Sequence, residues 1–326
     1  MRDDVIVVFG GSGFLGTHVV RELAKADKRI RVAMRRPHLG GDLRVLGRVG
    51  QVQLVQANVR FPDSIAAALE GADGVVNLVG TLHDRGKQNF QALHVDAART
   101  IAEAAAARGL RRLVQVSALG AAPKGSRYAK TKFAGEEAVT ETLPDATILR
   151  PSVMFGSEDT FFNRFAEMAR FAATVPLGAL PLIGAKTRFQ PVFVADVAEA
   201  VRAALDEPRA RGRVFELGGP AVYTMRQIME YVTAETERRV PLVSLPFVAA
   251  LPLGLLLEWS FKLSPFGEAP LTGDQVTMLQ RNNIVSPGAS TFADLGITHL
   301  ESVEAIVPSY LWRFRPYGQF QTNQTA

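Results

Sequence analysis

The stretch Val5–Asp27, "VIVVFGGSGFLGTHVVRELAKAD", decides the fold of this chain. Its first residues, Val5–Phe9, are all apolar, as in a strand that is covered on both faces of a parallel sheet. A glycine-rich loop follows, and "THVVRELAKAD" then has the apolar spacing of a helix. The stretch therefore predicts a strand, a tight turn and a helix in direct succession.

The glycines of this loop have the spacing G-x-x-G-x-x-G, at Gly10, Gly13 and Gly16. Such a turn needs residues without a Cβ, and a pyrophosphate needs close approach to backbone N–H groups at a helix N-terminus. A glycine triplet alone is weak evidence for nucleotide binding, and the alternative interpretation is a plain tight turn. Because a strand precedes the loop and a helix follows it, we predict a dinucleotide-binding loop.

Further strand and helix patterns alternate along the chain. The strand patterns "IRVAMR", "VQLVQANV", "GVVNLVG" and "RLVQVSALG" are separated by helical patterns such as "PDSIAAALEG" and "LHVDAARTIAEAAAARG". This alternation implies right-handed crossovers and a doubly wound parallel sheet, an α/β fold of the Rossmann type. We predict this domain over residues 1–155, completed by about 191–212. Residues 156–190 and 213–326 are predicted to form a smaller C-terminal α/β domain.

Composition excludes several classes of protein. The chain has no cysteine, which rules out disulfides, thiolate zinc sites and a cysteine-ligated iron–sulfur cluster, and its five scattered histidines predict no metal site. The net charge of +5 favours an anionic partner, such as a phosphate-bearing cofactor, an acidic protein or a lipid surface. A basic run interleaved with aromatic residues would predict nucleic-acid binding, and the sequence has no such run. The first apolar run is too short for a secretory signal, and frequent Ala and Arg favour a bacterial source.

Two arginines follow the second predicted strand, in "VAMRRP". An acidic residue about twenty positions after the glycine loop would bind the adenosine ribose of NAD, but this chain has Arg35 and Arg36 there. Guanidinium groups pair with a 2′-phosphate through bidentate, charge-assisted contacts. We therefore predict NADP(H) rather than NAD(H), with two solvated arginines at a strand end as the alternative.

Three residues form a candidate catalytic group. Tyr128 and Lys132 are four residues apart in "SRYAKTKFAGEE", so a helix places them on one face. We expect the lysine ammonium to lower the pKa of the phenol from its usual value of about 10. Ser117 ends the strand "RLVQVS", at the carboxyl edge of the sheet, and is expected to hold a carbonyl oxygen. The alternative is an ordinary surface pair on a helix.

These motifs together are recognisable. "VFGGSGFLG", "VSALGA", "YAKTK" and "LRPSVMFG" resemble the extended and atypical branches of the short-chain dehydrogenase/reductase superfamily. Within it, "SRYAKTKFAGEEAV", "RPSVMFGSEDTFFNRFA", "PLGALPLIG", "QPVFVADVAEAV" and "YLWRFRPY" are similar to the Rossmann-type accessory subunits of respiratory complex I, NADH:quinone oxidoreductase. The resemblance extends over nearly the whole chain.

The resemblance implies a tightly held NADPH without established turnover, in a subunit docked on the peripheral arm near the membrane and the quinone site. Carried over, the three loop glycines hold the pyrophosphate, Arg35 and Arg36 the 2′-phosphate, and Tyr128 with Lys132 the nicotinamide ribose. Pro151 and Ser152 pass along the nicotinamide. The complete set of expected cofactor contacts is Gly10, Ser12, Gly13, Phe14, Leu15, Gly16, Arg35, Arg36, Asn58, Val59, Leu78, Val79, Gly80, Val116, Ser117, Tyr128, Lys132, Pro151, Ser152 and Val153.

The chain departs from active reductases and epimerases at two positions. Asn58 stands where many of them have an aspartate that binds adenine, and it can serve as a hydrogen-bonding partner equally well. His94 stands where extended enzymes commonly have an asparagine that completes the catalytic group. The second departure weakens the prediction of catalysis more than that of binding.

Residues 241–266 form the most apolar stretch of the sequence. Pro246, Pro252, Gly254 and Glu258 interrupt it, so we do not predict a transmembrane helix. A buried helical pair and an interfacial segment with Trp259 and Lys262 at its polar boundary both remain open, and the resemblance favours an interface. The tail "SYLWRFRPYGQF" has little helical periodicity and is expected to extend across a neighbouring subunit.

The first hypothesis is an NADPH-binding accessory subunit of a membrane-associated quinone oxidoreductase, peripheral on the cytoplasmic face of a bacterial inner membrane. Its partners are the other subunits of the complex, and no independent turnover is expected. The alternative is a soluble NADP-dependent reductase or epimerase that uses Ser117, Tyr128 and Lys132. A third option is a regulator that senses the ratio of NADPH to NADP.

Overall fold

The computed structural model describes residues 4–82, 84, 86, 88–176, 178–262 and 271–318. Its strands are β1 (Val5–Phe9), β2 (Arg29–Met34), β3 (Val52–Gln56), β4 (Gly74–Asn77), β5 (Leu113–Val116), β6 (Thr147–Pro151), β7 (Met154–Phe155), β8 (Leu180–Ile183), β9 (Arg188–Phe189), β10 (Val192–Phe193), β11 (Val214–Leu217), β12 (Tyr223–Thr224) and β13 (Leu242–Leu245). Its α-helices are α1 (Phe14–Lys25), α2 (Pro62–Ala68), α3 (Ala97–Ala106), α4 (Arg127–Thr142), α5 (Phe162–Ala172), α6 (Val194–Asp206), α7 (Met225–Glu235), α8 (Phe247–Lys262), α9 (Gly273–Met278), α10 (Val303–Ile306) and α11 (Pro308–Leu311). A π-helical segment, Gln91–Asp96, leads directly into α3.

Seven parallel strands form the central sheet, in the order β11-β6-β5-β4-β1-β2-β3. The chain runs from β1 through β2 to β3 and then returns to β4 on the other side of β1, so the strand order reverses between β1 and β4. Ligands of doubly wound sheets bind at the carboxyl ends of the strands at this switch point. The predicted doubly wound, Rossmann-type sheet is confirmed.

Helices cover both faces of this sheet. On one face, β1 side chains such as Val7 and Phe9 pack with α2, α3 and α4, and Ile101 of α3 is fully buried in that cluster. Helices α1 and α6 pack against each other, and Val20 of α1 lies beside Val8 and Val32 of the sheet near Gly11. Burial on both faces explains why these strands are continuously apolar.

The chain divides into two compact units, and the sheet belongs to the first: Met1–Pro151, Val194–Leu217 and Val285–His299. Two of these segments, β11 and Val285–His299, were predicted from the sequence to belong to the smaller domain, and the structure differs there. Strand β11 pairs in parallel with β6. Ser290 bridges to Phe215, and the Arg213 guanidinium lies 3.1 Å from the Asp294 carboxylate. These backbone and ionic contacts attach both segments to the sheet. The sequence of a short strand does not predict such contacts.

The second unit comprises Ser152–Phe193, Gly218–Ile284 and Leu300–Ala326. Three two-stranded pairs, β10-β7, β12-β9 and β13-β8, contribute side chains to its apolar core. Tyr310, Leu311 and Phe314 are buried in that core. The expectation that the tail extends across a neighbouring subunit is therefore wrong for these three residues, and its last two residues, 319 and 320, lie outside the described part of the chain. The tail has short helical turns rather than one long helix. Its apolar residues therefore lack a helical spacing that would predict their burial.

The apolar stretch 241–266 contains β13 and α8, and its last residues lie outside the described part of the chain. Ala250 is buried against Ile183 and Val276. On other sides of the helix, Leu256 is 62% and Trp259 63% exposed. The helix therefore buries one side and leaves apolar side chains in solvent. Within the described part of the chain, no helix combines the length and apolar character needed to cross a membrane.

Candidate cofactor site

The glycine loop between β1 and α1 is shaped by backbone contacts that admit no side chain. Gly10 has a φ of +80°, and a Cβ on it would lie 3.0 Å from the carbonyl carbon of Leu78. A Cβ on Gly16 would lie 2.4 Å from the carbonyl oxygen of Gly10. Gly13 donates its N–H to Gly10 (3.1 Å) and is the N-cap of α1, which no side chain caps. The loop therefore leaves backbone N–H groups at a helix N-terminus, as a pyrophosphate site requires.

The other loop residues divide between solvent and core. Ser12 is exposed, Phe14 is half-buried and Leu15 is buried. Gly11, which the sequence did not single out, is also constrained, because a Cβ on it would lie 2.8 Å from Cγ1 of Val32. The Gly-Gly doublet after β1 was the feature of the sequence that could have identified Gly11 as constrained.

Arg35 and Arg36 follow β2 at the same edge of the sheet as the glycine loop. Ala33 of β2 pairs with Phe9 of β1, so the two strands end side by side. Both arginines are exposed, and within the described residues neither guanidinium takes part in a hydrogen bond or ion pair. They remain available for an anionic group.

After β3, Asn58 and Val59 form a turn that leads to α2. The Asn58 N–H donates to Oγ of Ser64 (2.8 Å), and its Oδ1 accepts from the N–H of Arg60 (3.2 Å). Val59 lines a cavity of about 340 Å³ together with Ala92, Asp96 and Thr100. The sequence did not identify those three residues, although their spacing of four places them on one helical face.

The end of β4 is held by two buried polar side chains that sequence reasoning missed. Asn77 donates through Nδ2 to Oε1 of Gln115 (2.7 Å), and its Oδ1 accepts from the N–H of Val79 (3.0 Å). The N–H of Leu78 donates to the carbonyl of Phe9 at 2.9 Å. Polar residues inside the apolar runs "GVVNLVG" and "RLVQVS" indicate that each side chain needs a hydrogen-bond partner, but they do not say which partner it has.

Ser117 follows β5 and carries a buried hydroxyl. Its N–H donates to the carbonyl of Leu149 at 2.7 Å, so the backbone continues the pairing with β6. Its Oγ is buried and has no hydrogen-bond partner among the described residues. A buried polar atom without a protein partner is uncommon in a folded protein, and it fits a position that contacts a ligand or a bound water.

Lys132 is buried on α4 and points towards the loops that follow β4 and β5. Its Nζ donates to the carbonyl of Val116 at 3.4 Å, and a Cβ on Gly80 would lie 3.1 Å from it. Burial lowers the pKa of Lys132 to about 8, although the nearby Glu136 carboxylate opposes this shift. Glu136 is itself held by Arg150, which donates from Nε at 2.9 Å.

Tyr128 rests against two aromatic rings. Its ring meets Phe90 and His94 edge-on, with centroids 5.8 Å and 5.4 Å away. Burial raises the pKa of Tyr128 to about 12. The expected lowering of this pKa by the ammonium of Lys132 is therefore wrong, because desolvation of the phenol dominates.

His94, in the π-helical segment, is buried and engaged at both ring nitrogens. Nδ1 lies 3.0 Å from Oγ1 of Thr131, and Nε2 lies 3.1 Å from the carbonyl oxygen and 3.2 Å from the N–H of Thr81. Either neutral tautomer satisfies both nitrogens. Burial, and then the charge of Lys132, lower the pKa of His94 to about 3. The ring is neutral at physiological pH.

The last predicted contacts lie around the end of β6. Pro151 is buried, and its carbonyl accepts from the N–H of Leu119 at 2.8 Å. Ser152 and Val153 belong to the second unit, where Ser152 donates through Oγ to Oδ1 of Asn283 at 2.6 Å. The structure thus gives the Ser152 hydroxyl a partner of its own.

The first unit therefore fits a dinucleotide. The glycine cradle, the two arginines after β2 and the hydroxyl of Ser117 all lie at the carboxyl edge of one sheet, and neither the arginines nor the hydroxyl has a partner among the described residues. Among the described residues, no group of three or more His, Asp or Glu side chains is arranged to hold a metal ion. The fold is of the Rossmann class, and its glycine loop has the geometry of a dinucleotide-binding loop.

Comparison with known proteins gives the family. Residues 6–218 match the model of the NAD dependent epimerase/dehydratase family, and the chain belongs to it. An NADPH-dependent quinone oxidoreductase from Escherichia coli, solved with NADPH, superimposes with a TM-score of 0.72 over 94% of this chain and 99% of its own. At 18% identity, that likeness supports the fold alone.

Two relatives are more similar in sequence. The NADH dehydrogenase (ubiquinone) 1 alpha subcomplex subunit 9, mitochondrial, from Arabidopsis thaliana is 36% identical, over 90% of this chain and 74% of that protein. A ceramide reductase from Caulobacter vibrioides is 32% identical, over 78% of each chain. Within the epimerase/dehydratase family, this chain belongs with the subunit 9 proteins.

Proposed function

We propose that this chain is the NADPH-binding accessory subunit of a membrane-associated NADH:quinone oxidoreductase, respiratory complex I. The observation that carries the proposal is the relative from Arabidopsis thaliana, which matches 90% of the chain and is named as a subunit of NADH dehydrogenase. That match extends into the second unit, beyond the residues that the epimerase family model covers. The proposed partners are the other subunits of the oxidoreductase.

The proposal assigns the cofactor to the carboxyl edge of the sheet. Residues 10–16 would hold the pyrophosphate, Arg35 and Arg36 the 2′-phosphate, and Tyr128 with Lys132 the nicotinamide ribose. A bound NADPH supplies a hydride donor. The remaining proposed contacts are Asn58, Val59, Leu78, Val79, Gly80, Val116, Ser117, Pro151, Ser152 and Val153.

Three features support a cofactor that is held rather than turned over. A phenol with a pKa of about 12 is a weak proton donor at neutral pH, so Tyr128 is poorly matched to general acid catalysis. The ammonium of Lys132 is engaged with the carbonyl of Val116. Both nitrogens of His94 are occupied, so its ring offers no free position for proton exchange. A ligand that binds only the folded state stabilises it, which is the structural role that we propose for NADPH.

We further propose a peripheral association with the cytoplasmic face of a bacterial inner membrane, through residues 241–266. The exposed apolar side chains of α8, among them Leu255, Leu256 and Trp259, support contact with lipid or with a membrane subunit.

Mild detergent extraction of membranes that contain a tagged chain tests the accessory-subunit proposal. We expect the chain to migrate in a large complex with NADH:quinone oxidoreductase activity, and to release NADPH on denaturation. A chain that appears alone in the soluble fraction, without this activity, would contradict the proposal.

The alternative function is an NAD(P)-dependent reductase or epimerase that uses Ser117, Tyr128 and Lys132. The unpartnered, buried hydroxyl of Ser117 favours it, because such an atom suits a substrate oxygen, and so does the relationship to the ceramide reductase. A screen of carbonyl substrates for NADPH oxidation distinguishes the two functions. Turnover that is lost in Tyr128→Phe supports the enzyme, whereas bound NADPH that stays reduced with every substrate excludes it.

A further inference from the structure

The imidazole of His94 connects three separate segments of the first unit. It belongs to the π-helical segment, reaches the backbone of Thr81 in the loop after β4, and contacts the hydroxyl of Thr131 on α4. A stacked contact with Phe90, at a centroid distance of 5.2 Å and an interplanar angle of 15°, fixes the plane of the ring. The ring therefore cannot turn without breaking contacts to all of these segments.

The backbone of His94 also lies directly against α4. A Cβ on Gly135 would lie 2.0 Å from the carbonyl oxygen of His94, so only a glycine permits this approach. The side chain and the main chain of one residue thus hold the same helix at two points, Thr131 and Gly135, which lie one turn apart. Through His94, α4 therefore contacts both the π-helical segment and, by way of the imidazole, the loop after β4.

Two proposed cofactor contacts are carried by that helix. Lys132 follows Thr131 directly, and its Nζ lies between the carbonyl of Val116 and the backbone of Gly80. Tyr128 is one turn earlier and rests edge-on against the ring of His94. A shift of α4 away from His94 would move both side chains together.

We propose that His94 is a positioning residue that fixes Tyr128 and Lys132 for the cofactor and thereby sets how slowly NADPH is released. The inference rests on the proposed NADPH binding and extends it to the rate of release. His94 acts through Thr81, Thr131 and the backbone of Gly135. It needs no change of protonation, because either neutral tautomer contacts the same two residues, Thr81 and Thr131.

The test measures the nucleotide content of the purified chain after incubation with NADPH, and then the rate of NADPH release on dilution into an enzyme that consumes free NADPH. His94→Leu removes the contacts of both ring nitrogens with Thr81 and Thr131. We expect release to accelerate about tenfold or more, as the loss of one buried hydrogen-bonded group allows. His94→Gln keeps a donor and an acceptor and should restore part of the slow release.

Two controls separate positioning from general stability. Ile30→Val lowers the stability of the same sheet through a buried β2 side chain, and should leave the release rate unchanged. His299→Gln replaces an exposed histidine of the same unit and should resemble the wild type.

The outcomes are distinguishable. Wild-type protein that takes up no NADPH overturns the proposed function, and the inference with it. Protein that binds NADPH but releases it at the same rate in wild type and His94→Leu overturns the positioning role alone. Equal acceleration in Ile30→Val and His94→Leu assigns the effect to stability and also overturns it.

Discussion

The two halves of the candidate cofactor site are built by different means. The half formed by residues 10–16 is defined by the main chain, where contacts of 3.0 Å and 2.4 Å to an added Cβ leave room only for glycine at Gly10 and Gly16. The half around Ser117, Tyr128 and Lys132 is defined by buried side chains whose properties come from their surroundings. The first half depends on space, and the second depends on desolvation.

Gly16→Ala, in the first half, should have the largest effect on stability of the variants compared here. The added Cβ would meet the carbonyl oxygen of Gly10 at 2.4 Å, and backbone atoms cannot move aside as a flexible side chain does. We expect a loss of about 3 kcal/mol or more in the free energy of unfolding, measured by urea denaturation.

The matched control for that prediction is Gly41→Ala, since nothing lies within 4 Å of a Cβ at Gly41. It should change stability by no more than about 0.5 kcal/mol. Gly13→Ala is the second comparison, because its Cβ would lie 3.4 Å from Gly10, an ordinary contact. If Gly16→Ala proved as stable as these variants, the crowding of the loop would be disproved.

The surroundings of the second half can be tested through the pH dependence of the free energy of unfolding, because His94 lies against Tyr128. His94 has a pKa of about 3 in the folded chain and the usual 6.5 when unfolded, so between these values the unfolded state binds more protons. Its contribution to stability is therefore complete above pH 6.5 and is lost as pH falls towards 3. The slope should approach 1.4 kcal/mol per pH unit, roughly, within that window.

Subtracting the pH profile of His94→Gln from that of the wild type isolates this slope, because the other titrating groups are common to both. If the profiles of the wild type and His94→Gln were parallel between about pH 4 and pH 6, near the middle of the window, His94 would not be a buried neutral group. The free energy of unfolding at each pH is the measured quantity.

The double variant Arg35→Gln, Arg36→Gln tests the proposed contacts with the 2′-phosphate, which lie outside both halves, without disturbing the fold. Both side chains are exposed and unpaired among the described residues, so stability should not change. The affinity for NADPH should fall about 10- to 100-fold through loss of charge-assisted contacts, while that for NADH stays the same. Titration calorimetry with both nucleotides provides the comparison.

Arg44→Gln, at an exposed arginine between β2 and β3, is the control for general charge. An equal loss of affinity in this variant would mean that overall charge, rather than a phosphate contact, attracts the nucleotide.

Ser117→Ala should have the smallest effect on the unliganded chain. Its Oγ has no partner among the described residues, so removing it should leave the free energy of unfolding within about 0.5 kcal/mol of wild type or raise it. Ser126→Ala is the contrasting buried serine, because Ser126 caps α4 by accepting from the N–H of Ala129 at 3.1 Å, and its loss should cost about 1 kcal/mol. Similar losses in thermal or urea unfolding for both variants would contradict the assignment of Ser117 as unpartnered.

The same difference between the halves explains what the sequence predicted. The strand, glycine loop and helix at Val5–Asp27 depend on residues adjacent in the chain, and the parallel sheet follows from their repeated alternation. Burial raises the pKa of Tyr128, and two of the rings that lie against it, Phe90 and His94, are more than thirty residues away in the chain. Spacing alone placed Tyr128 and Lys132 on one face, but it could not disclose the desolvation that reverses the expected shift.

Two other features were also inaccessible from local patterns. The contact between Asn77 and Gln115 joins strands whose partners only the folded sheet reveals. The assignment of β11 to the sheet depends on its pairing with β6, across the intervening second-unit residues and α6.

The most direct test of the central claim follows the bound nucleotide during turnover of the intact complex. The tagged chain is isolated from membranes with mild detergent and supplied with NADH and a quinone, and the bound NADPH is quantified after many cycles. We predict that quinone reduction accompanies the chain while its NADPH remains bound and reduced. Oxidation of that NADPH at the rate of quinone reduction, or isolation of the chain without quinone reductase activity, would contradict the account.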